Sequence, residues 1–170
     1  DVKNFRSEIG VLFLNGYNRD VLTKMFDDNR LTYTSLFKAR PHIFVSKSNP
    51  LAKHKVVSLE DLEDFPYLSY DQGIHNSFYY SEEILSQIPH KKSIVVSDRA
   101  TLFNLLIGLD GYTIATGILN SNLNGDNIVS IPLDIDDEID IVYLKHEKAT
   151  LSKMGEKFLD NLVKEVTFDN

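Results

Sequence analysis

A serine and an aspartate, Ser97 and Asp98, stand at the first corner of the stretch SIVVSDRATLFNLLIGLDGYTIATGIL (residues 93–119), and Thr116 and Gly117 close its second strand-like run. Two apolar runs of strand length flank an almost wholly apolar run of helix length, the pattern of a buried strand, helix, strand unit. In a right-handed crossover the helix begins at the carboxyl end of the first strand, where open α/β sheets bind their ligands. Free backbone N–H groups and the positive end of the helix dipole make such a corner attractive to carboxylate, sulfate or phosphate. Ser and Asp are also the commonest N-caps, so capping alone accounts for both residues. An inward Asp98 would oppose an anion, which favours Asp98 as cap and Ser97 as ligand contact. Parallel pairing of the two strands would bring Thr116 and Gly117 to the same rim, so that two hydroxyls face one cleft.

Other chemistries lack their signatures. Gly108, Gly111 and Gly117 do not form a dinucleotide fingerprint, and neither a P-loop nor a Gly-x-Ser-x-Gly elbow occurs. The histidines at 42, 54, 75, 90 and 146 never fall at i, i+4, so a zincin site is unsupported. The acidic run DIDDEID (134–140) lacks the glycine turn and terminal Glu of an EF-hand loop and reads as a solvated connection. An enzyme would need an acid or base such as Asp71, Asp98 or His75, but nothing in the sequence places these together. The chain is therefore read as non-enzymatic, with no cofactor and no metal. HNSFYY (75–80) fits either an aromatic lid over a ligand or surface packing.

Composition narrows the partners. A chain of 170 residues, 42% apolar and 25% charged, has enough core for one domain or two small lobes. It contains no cysteine, which excludes disulfides and thiolate chemistry and is compatible with a cytoplasmic setting. A net charge of −7 repels phosphate backbones and anionic lipid, and no apolar run approaches membrane-spanning length. No DNA-binding surface and no membrane partner are expected of this segment.

The elements that must position the corner are readable in order. EIGVLFLN (8–15) reads as a strand buried on both faces, with chemistry gathering at its NGYN end. RDVLTKMFDD reads as a short helix with Val21, Leu22, Met25 and Phe26 on one side. LTYTSLFKARPHIFVSK follows as two extended pieces around Pro41. Ser58 and Asp61 have capping-box spacing and open a short helix ended by Pro66, and YLSY is a strand. SEEILSQIP reads as a helix begun by Ser81 and stopped by Pro89. Beyond the central unit come a turn cluster, SNLNGDN, the strands IVSIPL and IDIVYLKHE, and an amphipathic C-terminal helix over 152–166 carrying Phe158, Leu159, Leu162, Val163 and Val166. Strands alternating with helices argue for an α/β fold.

In this order the segments resemble the effector-binding domain of LysR-type transcriptional regulators. EIGVLFLN is similar to that family's Asp-x-x-Ile strand segment. PHIFVSKSNPLA is similar to its strand leading to His-Pro-Leu-Ala, with Asn49 in place of the His. VSLEDLEDFPYLSYDQG resembles its Leu-x-Asp-Leu helix and following strand. VSDRATLFNLLIGLDGYTIATG resembles its strand, helix and Gly-x-Gly strand, with Tyr112 and Thr116 where small apolar residues and proline are common.

The resemblance implies a two-lobed, type 2 periplasmic-binding-protein-like α/β fold. Lobe I would comprise 1–46 and 135–170, with its N-terminal part missing, and lobe II 47–134; the crossings would lie near 42–46 and 134–141. It also implies an anionic or polar small-molecule effector held between the lobes, with contacts near Leu14, Asn15, Ser69, Tyr70, Ser97, Thr116 and Gly117. DNA would be bound only through a winged helix-turn-helix outside this segment, in a homo-oligomer. The alternative within the same fold is a solute-binding transport receptor.

Overall fold

The computed structural model describes residues 1–71, 73, 79, 81, 83–119 and 125–168. The chain divides into two compact units, Asp1–Ala39 with Glu138–Asn170, and Arg40–Asp137.

The first unit is built on an antiparallel sheet. Strands β1 (Gly10–Leu14) and β2 (Leu31–Ala39) both pair with β8 (Ile139–His146), giving the order β1-β8-β2. Leu14 faces Asp140 and Tyr33 faces Leu144 in the two registers. Helix α1 (Arg19–Asp28) drops Leu22 and Phe26, one turn apart, onto Leu14, Leu31, Val142 and Leu144. Val21, expected on the same side, faces solvent. Nor is β1 buried on both faces: Val11 is 49% exposed, because β1 lies at the edge of an antiparallel sheet, whose strands can leave one face to water.

The C-terminal helix, α3 (Lys153–Phe168), starts at Ser152, whose Oγ accepts from the N–H of Gly155 at 3.1 Å. The backbone N–H and hydroxyl of Ser152 in turn donate to Glu8 Oε2, each at 3.0 Å. Leu159 and Leu162 are half-buried, whereas Phe158 and Val163 are exposed.

The second unit holds a mixed sheet of order β5-β4-β6-β3-β7, from β3 (His42–Ser46), β4 (Tyr67–Tyr70), β5 (Ser93–Val96), β6 (Tyr112–Ala115) and β7 (Ile128–Pro132). β3 runs antiparallel to β6 and β7, and β4 parallel to β5 and β6. Helix α2 (Arg99–Gly108) buries Leu102 and Leu106 against Phe44, Leu68, Val96 and Ile128. The bend at Pro41 directs the chain from β2 into this sheet, and the Pro41 carbonyl accepts from the N–H of Leu133 at 3.0 Å. The units change at 39/40 and 137/138 rather than 46/47 and 134/135; the first change comes early because β3 is paired on both sides within the second sheet, and the second falls within the crossing expected near 134–141.

Two local readings are modified. Ser58 and Asp61 make the reciprocal bonds of a capping box, Ser58 N–H to Asp61 Oδ2 at 2.9 Å and Asp61 N–H to Ser58 Oγ at 3.3 Å, yet the helix they open is a single 3-10 turn, Glu60–Leu62. The helix expected from Ser81 is not formed. Residues 84–87 are turns, and Leu85 has φ 60°, a left-handed conformation that interrupts a right-handed helix.

Candidate functional site: the carboxyl rim of the second sheet

Parallel pairing decides which residues meet. Tyr70 pairs with Val96 and Tyr67 with Tyr112, so β4, β5 and β6 end together on one rim. Ser69, Tyr70, Ser97, Thr116 and Gly117 are all brought to that rim. The expected neighbourhood of Ser97 and Thr116 differs in one respect: β4 lies between their strands, so the two corners are about 10 Å apart, two strand spacings, rather than adjacent. The N–H of Asp71 donates to the Val96 carbonyl at 2.8 Å, extending the pairing to the rim itself.

Asp98 is the N-cap of α2. Its Oδ1 accepts from the Thr101 N–H at 2.9 Å and its Oδ2 from the Thr101 hydroxyl at 2.7 Å. These bonds, the backbone one foremost, hold the Asp98 carboxyl below its ordinary range. Ser97 is exposed beside the cap. Asp98 thus serves the helix, as read from the sequence.

Thr116 is half-buried, and Gly117 has φ 88°. A Cβ at Gly117 would lie 2.7 Å from His42 Nδ1, so glycine is required twice over, by the backbone angle and by the imidazole. The rim also contains a residue that sequence reasoning missed. Glu83 is 6% exposed, accepts from the Tyr70 N–H and, through Oε2, from the Ser81 hydroxyl at 3.0 Å. In the sequence it was one acid of the helix expected from Ser81, which is not formed.

The other expected contacts belong to the first unit. Leu14 is wholly buried in its core and Asn15 is 3% exposed. Asn15 Oδ1 accepts from the N–H groups of Tyr17 and Asn18 at 3.1 and 3.2 Å, and Asn18 Oδ1 accepts from the Asn15 N–H at 2.9 Å. This reciprocal pair fixes the turn from β1 into α1.

Two of the acid–base candidates, Asp71 and Asp98, are occupied locally. Asp71 Oδ1 accepts from the Gly73 N–H at 2.9 Å and Asp98 caps α2; His75, like most of HNSFYY and of SNLNGDN, lies outside the described residues. Within DIDDEID, Glu138 pairs with Lys38 at 2.6 Å, and buried Asp140 accepts from Ser35 at 2.5 Å and Arg19 at 3.2 Å. Among the described residues, no three of His, Asp and Glu gather as a metal site, and no helix is long and apolar enough to cross a membrane.

Comparison with known proteins fits this architecture. The LysR substrate binding domain family matches residues 8–167. The structure of HinK, a LysR family transcriptional regulator from Pseudomonas aeruginosa, superposes with a TM-score of 0.64 at 15% identity, covering 96% of this chain and 55% of HinK. The effector binding domain of QuiR in complex with shikimate gives 0.60 at 17% identity, covering 97% of this chain and 74% of that one. The regulatory domain of MetR from N. meningitidis gives 0.61 at 13%, covering 99% and 74%. At such identities the likeness is one of fold. The chain spans about half the length of the full-length regulators it matches. No curated protein matches its sequence significantly. With a mixed α/β fold of two sheets and a family match running through nearly all of it, the chain belongs to the LysR substrate binding domain family.

Proposed function

We propose that this chain is the ligand-sensing part of a LysR-type regulator, binding a small polar metabolite at the carboxyl rim of β4, β5 and β6. The observation that carries the reading is the parallel trio itself, which brings Ser69, Tyr70, Ser97, Thr116 and Gly117 to one edge beside the amino end of α2. Hydroxyls there can orient a polar ligand, while the Asp98 carboxylate already takes the Thr101 N–H at the amino end of α2. No catalytic step is assigned to it. In the whole regulator, a cytoplasmic homo-oligomer, DNA would be held by a winged helix-turn-helix outside these residues. The effector would act by binding one arrangement of the oligomer better than another, because equal affinity shifts nothing.

Titration of the full chain with small polar metabolites, followed by backbone amide shifts, tests the site. Shikimate, the ligand of the QuiR domain, serves as a first probe of the class. A bound effector is expected to perturb residues 69–70, 97 and 116–117. Ser97→Ala and Thr116→Val should each weaken it by about 1–3 kcal/mol, roughly five- to a hundredfold. Unchanged affinity in both variants, or an effector seated elsewhere, sinks the proposal.

A further inference from the structure

The geometry points to a second small-molecule site in the unit Arg40–Asp137, at the opposite, amino end of the same parallel strands: a cavity that takes an uncharged, ring-sized molecule bearing a hydrogen-bond acceptor such as a hydroxyl or carbonyl oxygen. The cavity measures about 200 Å³ and is walled by Leu59, Leu62, Phe65, Ile88 and Pro89, with His90 and Tyr112 as its polar side. An apolar cavity of about 150 Å³ is enough to take up benzene, so the space suits one ring.

His90 and Tyr112 belong to an aromatic cluster with Tyr67. The His90 ring stacks on Tyr67 with centroids 3.8 Å apart and an interplanar angle of 19°, and the Tyr67 and Tyr112 rings lie 5.5 Å apart. His90 Nδ1 is 2.8 Å from the Tyr112 hydroxyl. Burial pushes the Tyr112 phenol up to about 12 and lowers His90, so both are neutral at pH 7. A neutral phenol is the better donor of the pair; its O–H therefore goes to Nδ1, which leaves the imidazole proton on Nε2. Among the described residues, His90 Nε2 is buried without a hydrogen-bond partner, as is the hydroxyl of Tyr67. Such orphaned polar atoms are uncommon in native interiors and call for a partner or a function.

The charge at the mouth selects against anions. Lys91 is paired with Glu63, which leaves Glu60 as uncompensated negative charge among the lining residues. A carboxylate ligand would lose its hydration there without gaining a cation. A neutral ring lies against the leucines, Phe65, Ile88 and Pro89. Binding of such a ligand requires the imidazole to turn in its stack on Tyr67 so that Nε2–H meets the ligand oxygen, and the orphaned donor would then gain its acceptor.

The test uses the full chain and three probes of similar shape: phenol, toluene and benzoate. Amide and aromatic-ring NMR shifts are followed as each is added. Phenol should bind saturably in the millimolar range, with the largest shifts at residues 59–65, 88–91 and 112 and in the His90 ring. Toluene, which offers no acceptor, and benzoate should each bind at least about tenfold more weakly. His90→Phe keeps a ring on Tyr67 but removes the donor, and should reduce phenol binding to the level of toluene. Shifts confined to residues 69–70, 97 and 116–117 would report the carboxyl rim and overturn this site, as would the absence of any saturable phenol shift. Toluene or benzoate binding as well as phenol would overturn the assigned chemistry. The comparison among probes needs no variant, so a folding defect in His90→Phe leaves the outcome decisive.

Discussion

The imidazole of His42 stands where a side chain on Gly117 would have to go, 2.7 Å from the position of its Cβ. Because Gly117 also has φ 88°, Gly117→Ala should destabilise the chain by about 2 kcal/mol or more in urea unfolding, the left-handed backbone and the steric contact acting together. His42→Ala in the same background should recover the steric part and leave the backbone part. Gly108→Ala, at a site with open space and no left-handed φ, should be neutral or stabilising by up to about 1 kcal/mol.

Asn49 is wholly buried and holds two segments at once. Its Oδ1 accepts from the Leu51 N–H at 2.9 Å, and its Nδ2 donates to the Asp110 carbonyl at 2.7 Å, tying the turn after β3 to the loop between α2 and β6. Asn49→Ala orphans both partners and should cost about 2–4 kcal/mol. Asn49→Asp keeps the acceptor and loses the donor, placing a charge against a carbonyl. It should be at least as damaging at pH 7 and recover in part on acidification, measured by chemical denaturation at two pH values.

The cap of α2 makes a pH-dependent contribution with a defined sign. The folded-state carboxyl of Asp98 lies below the ordinary 3.8, its stabilisation is present above that value, and it is lost as pH falls through the depressed folded value. Asp98→Asn should therefore lower the melting temperature at neutral pH and flatten its dependence below pH 4, whereas Ser97→Ala should leave both nearly unchanged. An equal loss from Ser97→Ala would show that the serine, too, serves the helix.

His90 gives the opposite residue class with the same direction. Burial lowers it from 6.5, so the unfolded chain binds more protons in the window below 6.5. Stability is highest above that window and declines as pH falls through it, levelling once the folded form is also protonated. His90→Phe should remove this part of the slope in denaturation between pH 7.5 and 5, with the wild-type curve as reference. Identical slopes would show that His90 is solvated.

With a net charge of −7, the chain alone should bind duplex DNA no better than other acidic proteins. A mobility shift at about 150 mM salt with sub-micromolar affinity would be tighter than ordinary non-specific binding and would contradict this.

What could be read from the sequence was local. The apolar run 93–96, the Asp98 cap and the helix behind it are set by neighbours a few residues apart, as are Leu22 and Phe26 on α1 and the bend at Pro41. Pairing partners were out of reach: no residue of β4 announces that it separates β5 from β6, and β1 reads as an interior strand because its apolar run is continuous although Val11 meets water. The rim's buried carboxylate was hidden for a related reason. Ser81 and the apolar residues after Glu83 fit a helix until Leu85 takes a left-handed angle. The cluster of Tyr67, His90 and Tyr112 joins residues more than twenty positions apart, and single histidines carry no pattern.

The order β1-β8-β2 has a consequence for how the molecule is made. β8 is the middle strand of its sheet, yet it leaves the ribosome about a hundred residues after β2, when the whole of Arg40–Asp137 has already emerged. Until then β1 and β2 have no strand between them to pair with, while the intervening unit has every element it needs. The inserted unit can fold first during synthesis, and the unit holding β1 and β2 closes last, around a loop long enough to make its closure the slow, chaperone-exposed step.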